Sequence, residues 1–290
     1  MTADVSIIGA GRLGATLGHA LSSKGFRIKA LSCRRLSSAE ESRKVIGQGK
    51  VYTDNIHAAE NADVVIITLP DDKIREAALE LASSDIVWQG KFVFHCSGLL
   101  CSGTLGPLKT KGAITASVHP IQSFSQKQQN PQIFEGIYFG LEGNRSALSR
   151  AKEIVRRIGG QYIVLKPDDK PLYHAACSFA SNFFVLLLDM AVQLLEQVGL
   201  EKKSALSILL PLVQGTLNNA KNAPLSTSLS GPIIRGDQES VKNHIVALRK
   251  IPSFHEFYVE MASRAVEMAE REGKLSPEKL KSMRALLEGK

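Results

Sequence analysis

Near its start the chain reads Val5-Ser6-Ile7-Ile8, then Gly9-Ala10-Gly11-Arg12-Leu13-Gly14. A short apolar run passes into Gly-x-Gly-x-x-Gly, and a helical pattern begins at once. That order constrains the fold more than any other feature of the sequence. Gly9 permits a tight turn out of a strand. Gly11 has no Cβ to hold a pyrophosphate away from the backbone, and Gly14 lets the helix pack close to the sheet. The helix N-terminus offers its partial positive charge to the phosphates. Taken alone, three such glycines describe an ordinary tight turn. With the strand before and the helix after, Gly9, Gly11, Arg12, Leu13 and Gly14 are expected to cradle a dinucleotide.

The helix runs from about Arg12 to Lys24 and stops at Gly25, and a second strand covers Phe26 to Ser32. An NAD site places an acid about 20 residues past the glycines to hold the ribose 2′-hydroxyl. Here that place reads Leu31-Ser32-Cys33-Arg34-Arg35, and the first acid is Glu40. A carboxylate would repel a 2′-phosphate, whereas a serine hydroxyl and two guanidinium groups would bind it. Ser32, Arg34 and Arg35 therefore point to NADP(H). The plainer alternative for the two arginines is a solvated basic loop.

The formal net charge of +8 favours anionic partners. No lysine–arginine block interleaves with aromatics, so nucleic acid is not expected. Cys33, Cys96, Cys101 and Cys177 form no C-x-x-C pair and lie at no zinc-finger spacing, so no metal site is expected. They suit a reducing cytoplasm. A strand that begins by about residue 4 leaves no room for a signal peptide. The most apolar stretch, residues 175–188, is broken by Ser178, Ser181 and Asn182 and is shorter than the roughly 20 residues a bilayer needs.

Short helices are expected over 38–46 and 55–60, and a buried parallel strand over 62–69. That strand ends at Pro70, counted with the cofactor site, and Asp71 reads as the cap of the next helix. Strands at 91–94 and 113–118 end in His95-Cys96-Ser97-Gly98 and His119-Pro120. Ligands of open α/β sheets bind outside the carboxyl ends of the strands. His95, Ser97 and His119 fall there, and each histidine either serves a ligand or bridges backbone groups. Strands at 137–141 and 161–165, with a helix over 146–158, complete the sheet. Lys166-Pro167-Asp168 breaks the pattern, which sets a domain boundary there: 1–167 and 168–290.

The remainder reads as helix. Its first element, Lys170 to Val198, is apolar around most of its circumference and is expected to be buried, in a core or between subunits. His174, Ser178 and Asn182 follow one another at i, i+4 and i+8 on one face of it. They either bond one another and the backbone or face a ligand. Helices over 203–221, 238–249, 253–272 and 277–288 follow, with Asp237 reading as an N-cap.

These pieces carry a resemblance. Gly9–Gly14, Pro70-Asp71-Asp72, His95–Gly98, His119-Pro-Ile-Gln-Ser-Phe124, Tyr173–Asn182 and Gly231-Pro-Ile-Ile-Arg-Gly-Asp237 match, in order, a family of NADP-dependent oxidoreductases. That family joins a Rossmann domain to a helical domain known as DUF2520. More distantly the chain is similar to pyrroline-5-carboxylate reductases, 3-hydroxyacid dehydrogenases and F420-dependent NADP reductases. The resemblance implies an α/β fold: a mostly parallel, doubly wound Rossmann sheet, then an all-α, 6-phosphogluconate-dehydrogenase-like domain. It also implies a small substrate between the two domains and a homodimer built through the helical one. The 3-hydroxyacid dehydrogenases carry a catalytic lysine four residues before an asparagine. Asn182 matches the asparagine, but Ser178 stands at the lysine position.

The expected activity is hydride transfer between NADP(H) and a small C=N or C=O substrate. Ser97 and His119 would lie near the nicotinamide, with His174, Ser178 and Asn182 opposite. His174 is the first candidate proton donor and His119 the second. The alternative is an NADP(H)-binding sensor or scaffold without turnover, which the missing lysine favours.

Overall fold

The computed structural model describes residues 3–127 and 130–289. The chain forms two compact units, one through Phe183 and one from Phe184 onward. The first unit is an eight-stranded sheet in the order β3-β2-β1-β4-β5-β6-β7-β8. The strands are β1 (Asp4–Ile8), β2 (Arg27–Ser32), β3 (Lys50–Tyr52), β4 (Val64–Ile67), β5 (Phe92–His95), β6 (Ile114–Pro120), β7 (Tyr138–Gly143) and β8 (Gln161–Val164). Neighbours run parallel except β6 and β7, which are antiparallel. The unit's helices are α1 (Arg12–Ser23), α2 (Leu36–Ile46), α3 (Asn55–Ala59), α4 (Asp71–Ala82), α5 (Gly106–Thr110), α6 (Arg145–Arg157) and α7 (Lys170–Ser178).

Both faces of the sheet are covered, so the central strands are apolar throughout. Successive side chains alternate between two cores. Val64 and Ile66 join Phe92 and Phe94 on one face. Val65 and Ile67 join Val93, Trp88 and Leu81 on the other. The buried Trp88 indole donates to the Leu81 carbonyl at 3.1 Å, which removes the penalty of an unpaired N–H.

The second unit contains α8 (Phe184–Gln197), α9 (Lys202–Asn222), α10 (Leu225–Ser228), α11 (Pro232–Arg235), α12 (Gln238–Leu248), α13 (Pro252–Arg271) and α14 (Pro277–Leu287). Val241, Ile245, Val266, Ala269 and Met283 form its core. Asp237 caps α12 as expected, accepting the Ser240 amide at 3.1 Å.

Several details depart from expectation. Asp71 is the first helical residue of α4, and Pro70 holds the cap position without a side-chain bond. β3 is too short for its periodicity to register in sequence. The compact first unit extends past residue 167 to Phe183, because α7 packs on the ends of β5 and β6 through side chains described below. The long helix contains a π turn, Phe179–Phe183, which separates α7 from α8. Helical backbone nevertheless continues from Pro167 to Gln197, 31 residues, within which an 18-residue window has a mean hydropathy of 1.7, long and apolar enough to cross a membrane. That corrects the expectation of a stretch too short to do so, which considered only the unbroken apolar core of the helix. The expected burial within the chain is not found either: only 6% of the apolar window is covered.

Candidate functional site

The glycine turn has the shape its sequence requires. Gly9 adopts φ +80°, and a Cβ there would lie 2.4 Å from Leu69 Cδ2. A Cβ on Gly11 would meet nothing closer than the Gly9 carbonyl at 3.8 Å. The space above Gly11 is therefore open rather than filled by the fold. Gly11 caps α1 with no side-chain hydrogen bond to the first-turn amides. Unsatisfied N–H groups at an open glycine turn suit a phosphate. Arg12 is exposed and Leu13 half-buried on that first turn.

Arg34 and Arg35 stand exposed just past the tip of β2. Arg34, Leu69 and Pro70 line a pocket of about 460 Å³ together with Asn55, Lys73 and the acids Asp72, Glu76 and Glu80, and Lys73 is paired with Glu76. The open turn and the two exposed guanidinium groups of Arg34 and Arg35 offer donors of the kind a phosphorylated dinucleotide needs, and with Lys73 paired those two arginines are the candidates for the 2′-phosphate. Ser32 does not join them. It is fully buried, and its hydroxyl donates to Asn55 Oδ1 at 2.8 Å. Asn55 in turn donates to Glu80 at 2.8 Å. The Ser32 hydroxyl is thus an internal brace between β2 and α3, and its expected place at the 2′-phosphate is corrected.

At the ends of β5 and β6 the candidates separate by role. His95 is fully buried. Its Nδ1 accepts the Ser97 amide at 3.2 Å and its Nε2 donates to the Cys101 carbonyl at 3.1 Å. Burial first, and then Lys170, push it down to about 4. Of its two sequence readings, the structure gives the backbone bridge. Ser97 is also turned inward: its hydroxyl accepts the amides of Leu99 and Leu100 at 3.1 and 2.9 Å. Its carbonyl accepts from Ser117 Oγ and Lys170 Nζ, both at 3.2 Å.

His119, by contrast, lines an open pocket of about 540 Å³ with His174, Ser178 and Asn182. The helical spacing therefore brings the predicted residues to one place. The two imidazoles meet edge to face with centroids 6.0 Å apart. Gly98 makes this possible, since a Cβ there would lie 2.5 Å from His174 Cδ2 and 3.0 Å from His119 Nε2. Ser178 Oγ donates back to the His174 carbonyl at 3.1 Å, so its proton is engaged within the helix. Burial, reinforced by Lys170, His174 and His95, pushes His119 down to about 4.

Two participants have no role in the sequence reading. Lys170 is buried, and its Nζ donates to Ser117 Oγ at 2.8 Å as well as to the Ser97 carbonyl. Burial pulls the amine below the usual lysine range, against the carboxylate of Glu142. Tyr173 places its hydroxyl 2.7 Å from His119 Nδ1. A signal for both exists: Lys170, Tyr173, His174, Cys177 and Ser178 fall at i, i+3, i+4, i+7 and i+8, one face of a helix. A lysine beside a helix start reads first as a solvated residue, which hides it.

Comparison with known proteins divides the chain earlier than the two compact units do. Residues 2–120 match a Rossmann-like domain and residues 137–265 match a domain of unknown function, DUF2520. No match is found among curated proteins. Protein TM1727 from Thermotoga maritima is 31% identical, with 92% of this chain and 99% of that chain covered and a TM-score of 0.71. The "putative NADP oxidoreductase" BF3122 of Bacteroides fragilis is 23% identical, covers 91% and 97%, and gives a TM-score of 0.76. An imine reductase from Myxococcus stipitatus, solved with NADP+, is 16% identical, covers 97% and 99%, and gives 0.63.

Proposed function

The chain belongs to the family that joins a Rossmann-like domain to DUF2520, and from that premise we propose that it is an NADP(H)-dependent oxidoreductase acting on a small C=N or C=O substrate. One observation carries the reading. The carboxyl edge of a single sheet holds both an open, uncapped glycine turn and a histidine-lined pocket. When bound, the nicotinamide supplies or accepts the hydride. The first-turn amides of α1 hold the pyrophosphate, and Arg34 and Arg35 hold the 2′-phosphate. His174 exchanges the proton at the substrate heteroatom, while Asn182 orients the substrate by hydrogen bonding. Ser178, bonded to the His174 carbonyl, serves the helix rather than the proton.

The reading extends to assembly. Val185 and Leu186 on α8 are 61% and 57% exposed, and Ile208 and Leu212 on α9 are 56% and 68% exposed. So much apolar surface on two neighbouring helices suits a second copy of the chain in the cytoplasm. The test of function is NADPH oxidation against a panel of cyclic imines, 2-keto acids and 3-keto acids. Turnover of any member supports an enzyme. Tight NADPH binding without oxidation of any member overturns it in favour of the sensor, the reading to which the engaged Ser178 hydroxyl lends weight.

A further inference from the structure

The two pocket histidines sit in different environments, and the difference bears on the substrate. His119 Nδ1 faces the Tyr173 hydroxyl at 2.7 Å. Among the described residues no side chain or backbone group bonds His119 Nε2, which lies beside Gly98 on a ring that lines the pocket. Which nitrogen holds the proton follows from what surrounds the phenol. Its oxygen lies against Gly140, and its other neighbour is Cys177. Gly140 permits this approach, since a Cβ there would lie 2.6 Å from the phenol oxygen. An imidazole nitrogen accepts a hydrogen bond far better than a thiol sulfur does. The phenol therefore donates to Nδ1, and the ring's own proton is carried on Nε2, the nitrogen left without a protein partner among the described residues.

We propose that His119 is a neutral hydrogen-bond donor, locked in its Nε2–H form by Tyr173, and that the pocket is built for a carbonyl oxygen rather than a protonated imine. This deepens the oxidoreductase reading and rests on it. A neutral imidazole N–H can polarise a carbonyl without giving up its proton. The groups facing His119 are Tyr173, His174 and Lys170 from α7 and His95 from β5. None is a carboxylate, and among the described residues no carboxylate lines the pocket. An iminium cation would find no counter-charge there, whereas oxygen that becomes negative during reduction would find N–H donors. Burial and the neighbouring Lys170 push His119 down to about 4, which keeps it neutral at ordinary pH.

The reduction balances. A bound nicotinamide would supply the hydride, which would bond to the carbonyl carbon as the C=O π pair moves onto oxygen. His119 Nε2–H holds that oxygen, His174 gives it a proton, and His174 regains one from water. In the reverse direction each transfer is retraced.

The test is a set of ketone and imine probes of matched ring size, followed by NADPH consumption. Turnover of ketones at least about tenfold more efficient than of matched imines is expected. His119→Phe should lower kcat on a ketone about 10²-fold, as loss of an oxyanion donor does. Tyr173→Phe should lower kcat about tenfold with little change in KM, since it removes only the lock on the tautomer. Histidine ring-nitrogen NMR of the wild-type protein, with the His119 signal identified by its loss in His119→Phe and so told apart from buried His95, should show His119 as an Nε2–H ring that does not titrate from about pH 8 to 5. In Tyr173→Phe that signal should shift toward a mixture of tautomers. Imine turnover exceeding ketone turnover would overturn the inference and leave the oxidoreductase reading intact. So would an Nδ1–H ring in the wild type. Failure of every probe to oxidise NADPH would overturn both.

Discussion

Replacing Gly11 by valine should separate cofactor binding from folding. Gly11 sits at φ −77° and ψ −147°, at the margin of the extended region, and a Cβ there meets nothing nearer than 3.8 Å. The folding cost is then the loss of a good cap residue, about 1 kcal/mol. For a unit of this size that lowers Tm by about 2–4 °C. The binding cost is much larger, because the branched side chain fills the approach to the first-turn amides. Each hydrogen bond from an amide to a charged group contributes about 1.5–3 kcal/mol. Losing two weakens NADPH by about 10²–10⁴-fold. Gly9→Val is the contrasting control: at φ +80° and with Leu69 Cδ2 2.4 Å from the new Cβ, it should cost the fold itself. Thermal melting and titration calorimetry read the two effects separately. A folded Gly11→Val protein that binds NADPH within about threefold of wild type would refute the reasoning, by the same affinity arithmetic.

Other expectations are as direct. Arg34→Ala combined with Arg35→Ala should weaken NADPH by about 10²-fold or more while leaving NADH nearly unchanged; equal losses in calorimetry would remove both arginines from the 2′-phosphate. His95 has an ordinary value of 6.5 and is held at about 4 in the fold. Between these values the unfolded chain binds the extra proton. Stability is therefore full above about pH 7 and falls as pH drops toward 4, by up to about 3 kcal/mol. Urea midpoints at several pH values check this, and His95→Gln should shrink the acid-side loss; an unchanged loss would contradict it. Leu186→Asp on the exposed face of α8 should convert a dimer to a monomer in sedimentation, and an unaltered assembly would move the interface elsewhere.

The first half of the fold was largely legible in sequence because both of its periodicities are strong. The run Val64–Ile67 and the Gly9–Gly14 turn each have one sensible placement. Local patterns carry less about side chains whose meaning depends on distant neighbours. Ser32 looked like a phosphate ligand until Asn55, 23 residues on, was found to take its hydroxyl. Asp71 was expected at the cap and instead opens the helix one residue after Pro70, a shift of one residue that propensity does not resolve. The histidine pocket was legible as a row at helical spacing. The division of labour within it was not, since Tyr173 and Lys170 act through residues 54 and 53 positions away.

The reversal of direction at β6 and β7 has a consequence for how this site can change. Because β7 and β8 run back against β6, the chain leaves the sheet's far end and α7 climbs along β6 like a graduated rod. Lys170 stands level with Ser117, Tyr173 with His119, and Ser178 and Asn182 rise past the strand toward Gln122. Exchanging an upper graduation alters what the pocket touches without disturbing the lower ones that anchor the rod. The short link from Leu165 to Asp169 sets the zero of that scale. Adding or deleting one residue there would slide every marking off its counterpart, so the link should tolerate changes of residue far better than changes of length.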